Sequence, residues 1–512
     1  NNDREAPLSV TEHTASFNQA MLDPIVVSLQ EYVSSGCIPT CQGYYLPELS
    51  ISTLNPDYQS GTVTRAYRLF NPKRDVTETI ALPQYETTRV TQSQGTEGRI
   101  TAGAKVEVNV QGEISNRGST IEAGQSVSLN ASGLRNGRSD SLIQSFEEGI
   151  NPLQAEQFIA DLNRTQSLTP RAYVNLMPAP ARVESEEKGS FGTIRSGGDI
   201  SLDFANLTNE GTVLAAGDLS IRTAGAFANL GESSYAIDTI VTRRGSDTAP
   251  LIVPVLDEHG NVVSRDPFRG KSVVYFDQQL SSTQTPAVLA AGGKLSISAQ
   301  TLSNNNAQLL AQGDVFVSSS SQIENASGTI ESRTGDVTLS ASVIDNTRAD
   351  TAWLVNWQLW FEGRRAKHDE EDFFEVIKQV ETAPAGVISA GRDVVANTGA
   401  LHNKGSLINA GRDLSVTATG SVDNAARQRA VNYVLSHYES NGRKWDWAEG
   451  GVHSTGIPEH TPSTIQAGIN MHVTSGGILQ NTGNVLGQYV ALSGSAITNG
   501  LTDYRTQTPQ PT

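Results

Sequence analysis

One phrase of about twenty residues, Ala-Gly-x-Asp-Leu-x-Val followed by Asn-x-Gly, recurs along most of the chain and restricts it to a stacked-repeat fold. The first half stands at Gly198-Asp199, Gly217-Asp218, Gly313-Asp314, Gly391-Arg-Asp393 and Gly411-Arg-Asp413, with looser copies at Gly103, Gly124, Gly293, Gly335-Asp336, Gly468 and Gly487. The second half keeps the same beat at Asn116, Asn136, Asn209, Asn229, Asn305, Asn325, Asn346, Asn403, Asn424, Asn481 and Asn499. After each glycine corner apolar residues alternate, as in Leu219-Ser-Ile221, Leu295-Ser-Ile297 and Leu414-Ser-Val416, which is the period of a strand with one buried face. A second apolar pair precedes the next glycine, as in Val213-Leu214, so each unit holds at least two short strands.

A unit this small buries no core alone, whereas stacked coils pair every strand with its copies above and below. The expected fold is therefore all-β, a right-handed parallel β-helix of about twenty-residue coils; roughly fifteen coils would make a rod on the order of 70 Å. Helical repeats lack support because nothing in the unit has a 3.6-residue period, and a propeller blade needs about 40 residues. The paired Gly and Asp positions form a structural turn ladder, in which glycine would supply a positive φ and aspartate would bond its own turn.

Four long segments interrupt the beat, each leaving after an Asn corner and returning before the next glycine corner. The expected division is a non-repeat cap at 1–95, coils at 96–137, 194–231, 288–346, 387–425 and 464–500, insertions at 138–193, 232–287, 347–386 and 426–463, and a tail at 501–512. Equivalent corners lie above one another, so all four insertions should emerge on one side, about 10 to 15 Å apart, and form one lateral layer. All five tryptophans fall in the last two: Trp353, Trp357, Trp360, Trp445 and Trp447. Aromatic material of this kind either packs the layer onto the rod or contacts a partner. Residues 373–377 and the stretch from Pro152 to Leu162 read as short helices, 251–275 as a β-hairpin arm, and 17–33 as a helix within the cap.

Cys37 and Cys41, the two cysteines, are spaced for a local disulfide; a metal site would need two more ligands that nothing nearby supplies. A formal charge of -17 without a basic stripe argues against nucleic acid. No run of about twenty apolar residues is present to span a membrane as a helix. The start at Asn1-Asn2-Asp3 suggests an excised or processed fragment. Recurring aspartates at every coil read as structure, whereas a β-helical hydrolase or lyase needs one irregular acid cluster, and none is visible. Ser185-Glu-Glu-Lys188 lacks companion motifs, and His437, His453 and His460 lack metal spacing. No catalytic residue, metal or cofactor is implied, and the chain is not expected to be an enzyme.

The phrases Asn403-Lys-Gly405-Ser-Leu-Ile-Asn-Ala-Gly411-Arg-Asp413-Leu-Ser-Val and Asn209-Glu-Gly211-Thr-Val-Leu-Ala-Ala-Gly217-Asp218-Leu-Ser-Ile closely resemble the repeats of filamentous haemagglutinins and CdiA-type contact-dependent inhibition proteins. The resemblance implies a two-partner secretion exoprotein, exported through an outer-membrane β-barrel transporter, folding outside the cell and displayed at its surface. Neither a secretion-domain motif of the Asn-Pro-Asn-Gly type nor a Val-Glu-Asn-Asn toxin junction is found, so an interior stalk or receptor-recognition section is expected. Its partner would be a target-cell receptor, protein or glycan. The alternative is a β-helical carbohydrate-binding or carbohydrate-cleaving module.

Overall fold

The computed structural model describes residues 2–6, 8–17, 19–20, 22, 49–70, 73–93, 95–163, 181–244, 255–264, 273–360, 370–440, 447–456 and 458–500. Two compact units are distinguished: Asn1–Arg4, Glu97–Ser139 and Ser190–Thr512 form the first, Glu5–Thr96 with Asp140–Gly189 the second.

The first unit is a parallel β-helix. Short strands from Arg99–Ala102 to Asn484–Leu486 stack in register as an 11-stranded sheet, and the longer strands that follow them stack as a second sheet. Eleven coils span about 50 Å at the usual strand spacing, fewer than the roughly fifteen expected, and eleven is what the repeat segments between the insertions hold at about twenty residues each. Alternation puts one side chain of each pair inside. Leu129, Leu202, Ile221, Ile297, Val317, Leu339, Ala396 and Val416 form one such inward column, all buried. Each such Leu, Ile or Val side chain contributes on the order of 1.5–3 kcal/mol, and successive coils share the same core.

The interior also holds a polar spine. Asn2, Asn116, Asn136, Asn209, Asn229, Asn304, Asn325, Asn346, Asn403, Asn424, Asn481 and Asn499 stack so that each Nδ2 donates to the next residue's Oδ1 at 2.7–2.8 Å. Most are wholly buried, and second donor contacts reach corner carbonyls, as from Asn325 to Gly328 O at 2.9 Å. The ladder therefore satisfies amides that would otherwise destabilise the core. Asn304 replaces the expected Asn305, because Leu302 points inward and period two then brings Asn304, not its neighbour, to the same face.

Corner length follows the ladder. Where the next strand starts four residues after the ladder Asn, the second residue along adopts a left-handed conformation: Gly118 (φ 57), Asn306 (φ 47), Ser327 (φ 50) and Gly405 (φ 59). This explains the glycine of Asn116-x-Gly118 and Asn403-x-Gly405; at Gly211 and Gly483, where the strand starts three residues after the ladder Asn, φ is ordinary and a Cβ would instead meet a carbonyl oxygen of the adjacent coil. The glycines of the other corner are required for a different reason, which corrects the expectation of positive φ. A Cβ at Gly198, Gly217, Gly391 or Gly411 would run into an oxygen of the adjacent coil. There is no space for it.

Residues 2–4 are part of the helix rather than of a cap. Asn2 N and Arg4 N donate to Ser115 O and Arg117 O at 2.8 Å, and Asn2 is the first rung of the ladder. The chain thus leaves for residues 5–96 just after a ladder Asn, as it does for the other insertions.

The second unit contains a four-stranded antiparallel sheet, in the order Leu8–Ser16, Tyr85–Ser93, Leu142–Ile150 and Ala181–Glu187, and a three-stranded one from Leu49–Asp57, Thr62–Phe70 and Lys73–Ala81. Its helix, Pro152–Asn163, begins with proline in its first turn and is capped by Asn151, whose Oδ1 accepts Gln154 N at 3.0 Å. Phe158 and Ala155 on one side are buried. Of the expected helix at 17–33, Gln19, Ala20 and Leu22 are helical and most of the rest lies outside the described residues.

Candidate functional site

Three insertions build a six-stranded antiparallel sheet within the first unit. Its order is Glu232–Arg244, Val273–Thr285, Thr351–Trp360, Glu370–Glu381, Val431–Ser440 and Trp447–Gly456, a hairpin from each insertion. The layer is thus made by three insertions, not four, since the first pairs instead with Tyr85–Ser93 in the second unit. The expected helix at 373–377 is strand. Its run Phe373-Phe374-Glu-Val-Ile alternates, burying Glu375 and Ile377 on one face, and a paired neighbour on each side overrides local preference.

How fully the hairpins pair depends on coil spacing. The third and fourth insertions leave after Asn346 and Asn424, two ladder rungs apart, and two rungs match the width of a two-stranded hairpin, about 9.6 Å. Their facing strands pair continuously, from Glu370 with Glu439 to Lys378 with Val431. The second insertion leaves after Asn229, three rungs before Asn346. That is one strand spacing too wide. Its facing strand pairs only at Tyr275 with Gln358 and Phe276 with Trp357. Nearer the helix, side chains bridge the gap: Gln278 Oε1 accepts Val355 N at 2.8 Å, and Asn356 Oδ1 accepts Gln278 N at 3.1 Å.

Trp353 is half-buried and packs under the turn of a small hairpin, Val255–Leu256 with Val262–Ser264. Its Nε1 donates to Glu258 O at 3.2 Å, and a Cβ at Gly260 (φ 78) would lie 2.7 Å from its ring. Asp257 organises the turn by accepting from His259 N and Asn261 N at 2.8 Å. Trp357, Trp360 and Trp447 lie on sheet strands, but their side chains, with Trp445, Cys37 and Cys41, are outside the described residues. The edge strand Glu232–Arg244 leaves Tyr235 and Ile237 exposed on one face and Ile240 on the other, a feature sequence reading did not single out because Tyr-Ala-Ile-Asp-Thr-Ile has no clean alternation.

The aspartates of the glycine corners bond neighbouring coils rather than their own turns. Asp199 Oδ1 accepts Asp218 N at 2.8 Å and Asp218 Oδ1 accepts Lys294 N at 2.8 Å, where lysine interrupts the series. It resumes with Asp314, Asp336, Asp393 and Asp413, each accepting the N–H one coil on, at 3.1–3.2 Å, ending at Asn470. Arg392 clamps Asp336 at 2.7 and 3.0 Å, and Arg412 clamps Asp393 at 2.6 and 3.0 Å. The Arg412 guanidinium holds the Asp393 carboxyl below the ordinary carboxylate range. Among the described residues, no group of three or more His, Cys, Asp or Glu is placed to hold a metal ion, and no helix is long and apolar enough to cross a membrane. Ser185 lies opposite Gln144 in the second unit, His437 opposite Gly451 and His453 opposite Leu435.

With this geometry in hand, comparison with known proteins is decisive for family. The haemagglutinin repeat model matches residues 75–203, 195–234, 279–355, 333–426 and 452–503. The chain belongs to the haemagglutinin-repeat family. A curated relative, deoxyribonuclease CdiA of Dickeya dadantii (strain 3937), is 24% identical over 265 residues, 49% of this chain. The aligned part is 8% of that relative's length, so the haemagglutinin-repeat chain spans a small fraction of it. No solved structure matches the chain.

Proposed function

We propose that this haemagglutinin-repeat chain is a non-catalytic section of a secreted, cell-surface filamentous exoprotein, in which the β-helix extends the molecule and the lateral sheet contacts a receptor on another cell. The observation that carries this reading is the fusion of three hairpins, from coils spread along one helix, into a single sheet. A spacer needs no such structure. Among the described residues its edge strand has backbone without a strand partner on one side and carries exposed Tyr235 and Ile237 on one face, the kind of surface that accepts a partner strand or apolar patch. The corner Gly and Asp residues serve coil stacking on this reading. Export through an outer-membrane transporter of the two-partner type, and a role in adhesion or contact-dependent inhibition, follow from the family and the CdiA likeness as parts of the same proposal.

The test is binding of the purified chain to whole Gram-negative and epithelial cells, with each of the three hairpins deleted in turn. Saturable binding that disappears with one hairpin supports receptor contact through the sheet. Absence of binding by the intact chain refutes it and leaves a spacer.

A further inference from the structure

The outward face of the β-helix carries a groove unrelated to the lateral sheet. On four successive coils the register places Ser220, Ser296, Phe316 and Thr338 in one column and Arg222, Ser298, Ser318 and Ser340 in the next. A groove of about 300 Å³ runs along these residues. Its lining holds no carboxylate, although the chain has 54 acidic residues. The second column continues uncharged through Asn397, Thr417 and Thr474 in one direction, and in the other it meets Asp203 opposite Arg222, beyond the lining of the groove.

Phe316 is the exception within a column of hydroxyls, 40% exposed between Ser296 and Thr338. It contributes nothing to the core, since Val315 and Val317 on either side fill the interior. The side chains of Arg222, Ser298, Ser318 and Ser340 make no hydrogen bond or ion pair among the described residues, so their donors and acceptors face solvent. An exposed ring flanked by rows of free hydroxyls and one guanidinium suits a ligand with apolar ring faces and many equatorial hydroxyls. Every strand here is paired on both sides, so no backbone edge is open to a peptide. One arginine is too little charge for nucleic acid. Coils repeat about every 4.8 Å, close to the length of one hexose in an extended glycan.

We propose that this groove binds an extended saccharide, with a pyranose ring stacked on Phe316, neighbouring hydroxyls bonded to Ser298, Ser318 and Ser340, and Arg222 at one end. The proposal does not depend on the lateral sheet.

Isothermal titration of the full chain with chitohexaose and with hexagalacturonate tests it, alongside Phe316→Ser and Arg222→Gln. Phe316→Ser continues the serine column at an exposed position, and an unchanged circular dichroism spectrum and melting temperature establish that the fold is kept. The expected result is saturable binding of at least one sugar, weakened tenfold or more by Phe316→Ser. Selective loss of hexagalacturonate with Arg222→Gln identifies an acidic glycan; equal retention identifies a neutral one. No binding of either sugar, or binding indifferent to Phe316→Ser, overturns the proposal.

Discussion

Replacing Asn325 by leucine, a side chain of similar volume, isolates the worth of one rung of the interior ladder. Asn325 Nδ2 donates to Asn346 Oδ1 at 2.8 Å, and its Oδ1 accepts from Asn304 Nδ2 at 2.8 Å. Without it, Asn304 keeps Ala307 O and Thr329 O, at 3.1 and 3.2 Å, and Gly328 O, which loses the Asn325 donor, keeps Val387 N at 2.8 Å, but Asn346 Oδ1 is left buried without its donor, and Val387 O loses only a long 3.2 Å contact. A stranded buried acceptor costs about 1–3 kcal/mol and the net loss of the other bond about 0.5–1.5, so the coil should lose about 2–4 kcal/mol. Asn499→Leu, at the end of the ladder where one bond from Asn481 is at stake, should cost about 1 kcal/mol or less. Stability in a stacked array is local, so amide hydrogen exchange in the adjoining coils is the sharper readout, with urea unfolding in support. If Asn325→Leu lies within about 0.5 kcal/mol of the parent, the ladder is packing rather than hydrogen bonding and the reasoning fails.

Asp423 Oδ1 is buried with no hydrogen-bond partner among the described residues, and burial raises its carboxyl above the ordinary value, opposed by Lys404 and His402. With the folded value above the unfolded one, the charged form opposes folding; Asp423→Asn should be more stable than the parent near neutral pH, and thermal melts should converge as pH falls towards about 4. Asp393 is the opposite case: its folded value is lowered, first by Arg412, so its contribution is present above about pH 4 and lost as pH falls through the folded value. Because Arg412 is about half exposed, Arg412→Ala should lower stability only slightly at neutral pH, less in high salt and not at all in strong acid, as read by melts at each condition.

The coil was legible because its two signals report different constraints. Glycine marks corners where backbones of adjacent coils touch, and asparagine marks an interior position that repeats at every turn. Less legible was which asparagine of Asn304-Asn305-Asn306 enters the ladder, since composition is blind to a one-residue shift that only the inward side of Leu302 resolves. Strand structure at 373–377 was hidden for a related reason: its pairing partners, Thr351–Trp360 and Val431–Ser440, lie in other parts of the chain. The edge at 232–244 was not readable at all, because its apolar residues do not alternate and being an edge depends on which strand finds no neighbour among the described residues.

The commensurate spacing of coils and hairpins yields a prediction that tests the layer as a construction rather than residue by residue. Gln308 and Thr329 occupy the same register position in successive coils, so deleting residues 308–328 removes one whole turn and leaves Asn304 to meet Asn346 directly. The bases of the second and third hairpins then stand two rungs apart instead of three, about 9.6 Å, the separation at which the third and fourth already pair in full. Strands 273–285 and 351–360 should zip from Phe276 and Trp357 towards the helix, and their facing amides should become protected from hydrogen exchange. The Gln278 bridge should become redundant, so Gln278→Ala, destabilising by about 1 kcal/mol in the parent, should be neutral in the deletion variant. Should the facing amides stay unprotected and Gln278 stay necessary, pairing is set by the hairpin tips and not by the pitch of the helix beneath them.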